Sequence, residues 1–379
     1  MEGYVARSTG LRILWSREHA SLAWAAVEHS RPTWASRSGD PDMWGQCDEY
    51  CLYHARILSY CELINPLGSA LALEVEEILH DEHSKYQHVV VFQSKSFGKV
   101  LLLDGVIQIT DRDEMAYQEM IAHIPLFSHP NPETVLIVGG GDGGVIRECF
   151  KHKSVKEVHI CEIDQMVIDV SKKYFPKIAM AWDDPRVKLH CGDAAEYIQR
   201  PENFGRFDVI ISDTSDPVGP AAALFEPTFY ANMARALKPG GRIATQGESM
   251  WNDLELICRL VEGVKSLGVF SSVEYATTQI PTYPMGQIGF IVCAKPEEGE
   301  EAAGRVRKAD DEAKAVTAKA SCRIPVRRVT DEPMEYYTSE LHEAAFVLPR
   351  FLVRALEEAA AKSEGAVKKP RVEGEQSQE

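Results

Sequence analysis

Val135-Leu-Ile-Val-Gly139-Gly-Gly141-Asp142-Gly143-Gly144-Val-Ile-Arg147 is a short apolar run that ends in a glycine-rich turn and continues as a helical pattern. Such a run reads as the first strand, loop and helix of a nucleotide-binding α/β sheet, and the turn matches G-x-G-x-x-G. Loops of this kind hold pyrophosphate by offering bare backbone N–H groups at the positive end of a helix. Asp142 puts a negative charge where that reading expects an anion. The loop therefore points to a nucleoside whose nearby appendage is cationic.

Outward from this turn, strands and helices alternate. Strand candidates fall at 134–138, 157–161, 186–190, 207–212, 241–246, 272–278 and 287–293. Helical patterns lie between them at 144–152, 164–173, 194–199, 226–237 and 252–266, and Pro239-Gly240-Gly241 reads as a stop after one helix. The alternation predicts a mostly parallel seven-stranded sheet with helices on both faces. Upstream, Ala70–Val75, His88–Phe92 and Lys99–Leu103 read as strands, with Gly98 and Asp104-Gly105 as hairpin punctuation. They predict a small antiparallel β domain, followed by a helix over 113–127 that opens with acidic residues. The chain then divides into an N-terminal extension (1–60), the β domain (61–115), a Rossmann-like domain (116–295), a charged linker or insertion (296–325), a C-terminal helix of the catalytic domain (326–360) and a disordered tail (361–379).

The 379 residues leave room for more than one domain, and 45% hydrophobic with 26% charged residues is a globular composition. A formal net charge of -16 disfavours nucleic acid and anionic membranes and favours small cations. The nine cysteines are odd in number and scattered, which gives no disulfide framework and fits a reducing compartment. No stretch reaches bilayer length. The arginines and serines of the first forty residues faintly suggest a transit peptide, but Glu18 and Glu28 count against it, so a cytoplasmic location is expected.

Three more stretches carry chemistry. Glu162 ends the second strand, twenty residues beyond Asp142, where an acid can accept both hydroxyls of a ribose. Cys191-Gly-Asp193-Ala194 follows the third strand; its acid can accept an exocyclic adenine amine, although Gly-Asp is also ordinary turn chemistry. The fourth strand delivers Asp213-Thr-Ser-Asp216-Pro217-Val-Gly219-Pro220 to the carboxyl edge of the sheet, where open α/β proteins place their sites. Two acids so close are not cheaply buried without a cation. No His or further acid stands at ligand spacing, so no metal site is expected and cationic amines serve. Tyr283 in the proline-flanked turn Ile280-Pro-Thr-Tyr283-Pro284 can offer a ring face or hydroxyl to an ammonium.

Together with Tyr86-Gln87, Leu103-Asp-Gly-Val-Ile-Gln108, Tyr117-Gln118-Glu-Met120 and Ala344-Ala-Phe-Val-Leu-Pro349, these motifs run in order over 62–295 and 335–357. The set resembles the polyamine aminopropyltransferases, most closely their spermidine synthase branch. The resemblance implies a methyltransferase-like Rossmann domain behind a small β domain, usually in a homodimer. It implies no prosthetic group; decarboxylated S-adenosylmethionine is the co-substrate and a diamine, putrescine, the acceptor. Glu162 would bind the ribose, and Asp193 with Ala194 the adenine. Gln87, Asp142 and Asp213 would surround the aminopropyl arm, and Gln108, Tyr117, Gln118, Asp216 and Tyr283 would line the diamine channel. Asp213, helped by Tyr117 and Asp216, would carry the catalysis.

The family's Trp-Pro-Gly segment is replaced by Asn65-Pro66-Leu67-Gly68, and its Gly after the adenine-contacting Asp by Ala194. Spermine or thermospermine synthase, a putrescine N-methyltransferase and a non-catalytic subunit are the competing readings. The intact Asp142 and Gln118 speak against the methyltransferase, and the intact acids against the inert subunit. An acid in the phosphate loop disfavours a nicotinamide dehydrogenase.

Overall fold

The alternation is realised as two sheets, seen in a computed structural model that describes residues 13–14, 58–64, 69–217, 219–299, 321–327 and 332–367. The first sheet comprises β1 (Ile13–Leu14), β2 (Leu58–Ile64), β3 (Ser69–His83), β4 (His88–Ser94), β5 (Gly98–Leu103) and β6 (Val106–Thr110), hydrogen-bonded in that order. All neighbours are antiparallel except β1, which lies parallel to β2. Asp104 and Gly105 both take positive φ, 50° and 85°, so the Asp-Gly pair closes the β5–β6 hairpin as its chemistry demands. The sequence reading stopped β3 at Val75. The strand continues to His83, and register shifts at Val75/Glu77 and Ile78/His80 break the alternation that would have revealed it.

Helix α1 (Glu114–Ser128) leads into the second sheet and is buried from Ala116 to Ser128. Then come β7 (Thr134–Gly139), α2 (Gly144–Phe150), β8 (Glu157–Glu162), α3 (Gln165–Tyr174), β9 (Val187–Cys191), α4 (Ala194–Ile198), β10 (Phe207–Asp213), α5 (Pro227–Ala236), β11 (Leu237–Gln246), α6 (Leu254–Ser266), β12 (Ser272–Gln279) and β13 (Gln287–Ala294). The sheet order is β12-β13-β11-β10-β7-β8-β9, parallel from β11 to β9, with β13 antiparallel between β11 and β12. Strand order reverses at β7, which puts the carboxyl ends of β7, β8 and β10 around one crevice.

Burial explains why these segments fold so. Strands β7 and β10 are buried along nearly their whole length, as a sheet covered on both faces requires. Helix α6 buries Ile257, Leu260, Val261 and Val264, the i, i+3, i+4, i+7 stripe, each side chain contributing about 1.5–3 kcal/mol of transfer free energy.

The described residues correct the reading in three places. Strand β11 begins at Leu237, so Pro239-Gly240-Gly241 lies inside it, at a register jump between Phe207 and Val209 on β10. The single C-terminal helix is two, α7 (Ser339–Ala344) and α8 (Arg350–Val367), separated around Pro349; α8 runs into the stretch read as a tail from 361. The end of the supposed linker belongs to the core: Cys322 is fully buried, and Val326 N–H donates to Phe127 O at 2.9 Å. The Asn65–Gly68 segment, most of the N-terminal extension and residues 300–320 lie outside the described residues.

Candidate active site

Gly139 ends β7 directly opposite Asp213 at the end of β10, and Gly140 N–H donates to Asp213 O at 2.9 Å. Gly139 takes a φ of 76°, and a Cβ there would strike that carbonyl, so only glycine lets the two strand ends close together. Gly144, the first residue of α2, leaves room for the Gln118 amide, which stands 2.4 Å from where a Cβ would be. Glycine here serves side-chain access as much as backbone geometry.

Gln118 donates through Nε2 to both oxygens of Asp142, at 3.0 and 3.1 Å, and Gly144 N–H donates to Asp142 Oδ1 at 2.6 Å. Burial raises the pKa of Asp142, and these bonds with the Arg147 charge oppose the rise. One position earlier on α1, Tyr117 donates its hydroxyl to Asp213 Oδ1 at 2.7 Å. Asp213 Oδ2 is buried without a hydrogen-bond partner. Burial pushes the Asp213 carboxyl up to about 8; the neighbouring Asp142 adds to the rise, the Tyr117 bond resists it, and Glu162 adds again. Two consecutive residues of α1 thus hold the two acids that follow β7 and end β10.

Glu162 ends β8 and receives the Asp164 N–H at 2.8 Å; burial lifts its carboxyl to about 7. Asp193 caps α4 through the Ala195 N–H, 2.7 Å, and Ala194 is buried beside it. Gly192 N–H donates to Glu162 O, so the two acids share one sheet edge. Gln87 is placed differently from its fellows. Its amide donates to Asp164 Oδ2 at 3.0 Å, alongside Ser84 Oγ at 2.6 Å, and thereby docks the small sheet at the Glu162 end of the crevice.

Tyr283 donates its hydroxyl to Gln108 O at 2.6 Å, and its ring lies 5.7 Å from that of Tyr117. Gln108 turns its amide to Val106 O, so its backbone meets the tyrosine. Asp216 is exposed on the loop after β10, and its charge bears on Tyr283 and Glu248.

Glu248 was missed by sequence reasoning. It follows β11 at the same carboxyl edge, takes a left-handed φ of 60°, and accepts from Gln246 Nε2 at 3.1 Å. Burial, reinforced by Asp216, lifts it to about 8. The rule that singled out Asp213, an acid just past a parallel strand, would have found it.

The helix that presents Tyr117 and Gln118 is held along its length. Glu119 accepts the N–H groups of Glu335, Tyr336 and Tyr337, at 2.8 to 2.9 Å. Arg327 donates to Leu126 O, His129 O and His152 Nδ1. A guanidinium only donates, so His152 carries its proton on Nε2 and gives it toward His123 Nδ1 at 2.9 Å. His123 then donates through Nε2 to Glu148, also 2.9 Å away. Arg147 closes the chain with a bond to Glu148 and a bidentate pair to Glu114 in the first turn of α1.

The switch point of an open α/β sheet is where such folds place their ligands, and here it is ringed by carboxylates. Comparison with known proteins makes this specific. Residues 114–302 match the family model described as the spermine/spermidine synthase domain, and 60–111 match the spermidine synthase tetramerisation domain. A spermidine synthase of Solanum lycopersicum is 46% identical over 296 residues, covering 78% of this chain and 82% of the relative. One of Dictyostelium discoideum is 48% identical over 292 residues, 76% and 93% of the two chains. A spermine synthase of Arabidopsis thaliana is 48% identical over 293 residues, 76% and 77% of the two. Among solved structures, a spermidine synthase in complex with the transition-state analogue AdoDATO superposes with a TM-score of 0.68 at 31% identity, covering 79% of this chain and 95% of that one. The Thermotoga maritima spermidine synthase gives 0.67 at 32%, covering 79% and 94%. The chain belongs to the spermine/spermidine synthase family, a family of aminopropyltransferases. The match over 60–111 also points to oligomerisation.

Proposed function

We propose that the chain transfers the aminopropyl group of decarboxylated S-adenosylmethionine to putrescine, releasing spermidine and methylthioadenosine. The observation that carries this reading is the pair Asp142–Asp213 on the Tyr117-Gln118 helix edge, with one Asp213 oxygen buried and still free to accept. Burial favours the protonated form of both acids, Asp213 being lifted to about 8, and cations entering the site favour the charged carboxylates.

Glu162 takes the ribose hydroxyls, and Asp193 with the Ala194 backbone faces the adenine. Gln87 braces that end through Asp164. Asp142 pairs with the ammonium of the aminopropyl arm, and its charge repels the carboxylate of intact S-adenosylmethionine. Gln108, Gln118, Tyr283 and Asp216 border the diamine. A putrescine nitrogen attacks the methylene beside the sulfonium in line. The new N–C bond forms as the C–S bond breaks, and methylthioadenosine leaves neutral without needing an acid. The attacking amine must first shed a proton, and Asp213, held by the Tyr117 hydroxyl and ionised once the cations have entered, accepts it on its free oxygen. Alignment supplies much of the remaining rate.

A longer acceptor is the second reading, favoured by the Arabidopsis thaliana relative and by the third carboxylate, Glu248, near Asp216. Turnover with putrescine against turnover with spermidine separates the two. We infer a homodimer working in the cytoplasm; light scattering of the purified protein and imaging of the tagged full chain test those points.

A further inference from the structure

Asp113 looks in sequence like one of the acids that open α1, placed to favour the positive end of a helix dipole. Its side chain makes no capping bond. Both oxygens are committed elsewhere: Oδ1 accepts from Thr110 Oγ1 at 2.6 Å, and Oδ2 accepts from Thr282 N at 3.0 Å and Thr282 Oγ1 at 2.8 Å. The residue is 6% exposed, so a carboxylate has been taken out of water for these three neutral donors. Thr110 is the last residue of β6, which carries Gln108; Thr282 precedes Tyr283; and Asp113 itself lies one helical turn before Tyr117. The Tyr283 hydroxyl returns to Gln108 O, which closes a ring of bonds through Gln108, Thr110, Asp113, Thr282 and Tyr283.

We infer that Asp113 is the positioning residue for the acceptor amine: it pins the 280–286 turn to the small sheet and to α1, and so sets the gap between the Tyr283 and Tyr117 rings. Backbone bonds inside the turn, Ile280 N–H to Gly286 O and Gly286 N–H to Tyr283 O, fix its shape but not its place, and Asp113 is the one side chain that holds Thr282 among the described residues. The inference rests on the functional reading above. Nothing in the ring touches Glu162 or Asp193, so the nucleoside end is independent of it.

Asp113→Ala removes the tie. Asp113→Asn keeps an oxygen for Thr282 and an NH2 that Thr110 Oγ1 can accept, so it is the conservative rescue. Losing two hydrogen bonds to Thr282 should raise the putrescine KM about tenfold or more in the alanine variant, with most of the effect restored by asparagine. Methylthioadenosine affinity by titration calorimetry should stay within about twofold, since each 1.4 kcal/mol is tenfold. Because Asp113 acts through Tyr283, Asp113→Ala and Tyr283→Phe should be non-additive on kcat/KM for putrescine. If the alanine variant fails to fold, Thr282→Val, which deletes one donor and keeps the backbone N–H, is expected to move the putrescine KM in the same direction. Equal weakening of amine and nucleoside, strict additivity with Tyr283→Phe, or an unchanged putrescine KM in a folded variant overturns the inference. An inactive wild type would instead overturn the functional reading.

Discussion

Replacing Asp142 by asparagine separates charge from shape in the glycine-rich loop. The new amide oxygen can still accept the Gly144 N–H, which now reaches Asp142 Oδ1 at 2.6 Å. The new NH2 would face the Gln118 NH2, but Gln118 Oε1 is buried without a partner, so a flip of that amide restores a donor–acceptor pair. The fold therefore survives, and what is lost is the proposed ion pair with the aminopropyl ammonium. A charge-assisted hydrogen bond is worth roughly 1.5–3 kcal/mol, so the affinity for decarboxylated S-adenosylmethionine should fall about 10- to 150-fold. Intact S-adenosylmethionine should bind better than before, because the repulsion of its carboxylate is gone, and the discrimination ratio should fall further than either affinity. Methylthioadenosine lacks the arm and should bind unchanged. Titration calorimetry with the three nucleosides reads all of this at once. A parallel loss of methylthioadenosine affinity would refute the reasoning, because Asp142 would then be shaping the loop and not selecting the arm.

Asp213→Asn should cut turnover by about 10²-fold or more, the scale of a lost general base, while methylthioadenosine affinity stays near wild type; equal losses in both would count against Asp213 as the proton acceptor. Glu162, lifted to about 7, and Asp213 and Glu248, each lifted to about 8, keep protons that the unfolded chain has released above about pH 4.5. Their contribution to stability in the empty protein should therefore decline from about pH 5 to 8, and Glu248→Gln should flatten part of that decline in a pH series of thermal unfolding; an unaltered slope argues against the Glu248 shift. Arg327→Met strips the end of α1 of its cation and leaves His152 Nδ1 without a donor, so a loss of about 1–3 kcal/mol in chemical denaturation is expected, against none if the chain of bonds is incidental.

What could be read from sequence was what the chain writes locally. The β7 apolar run, its glycine turn and the Asp-Gly hairpin each lie within a dozen residues, and each appears where its chemistry places it. The acids at 142, 162, 193 and 213 were found because parallel strands deliver their next residues to one edge, a rule of position along the chain. Glu248 obeys the same rule and was passed over because Gln246-Gly-Glu248 carries no turn or proline signal around it. Contacts between distant segments were not readable. Asp113 meets Thr282 169 positions away, and Glu119 meets Tyr337 218 positions away, so nothing near either acid marks it as anything but a helical charge. The long β3 was hidden by its bulges, and Cys322 by the charged stretch that precedes it.

The central claim is the reaction itself, and one measurement reaches it directly. Purified full-length chain incubated with putrescine and either decarboxylated or intact S-adenosylmethionine, followed by mass spectrometry of amines and nucleosides, should yield spermidine and methylthioadenosine in equal amounts from the decarboxylated nucleoside alone. No spermidine, or N-methylputrescine formed from intact S-adenosylmethionine, would contradict it.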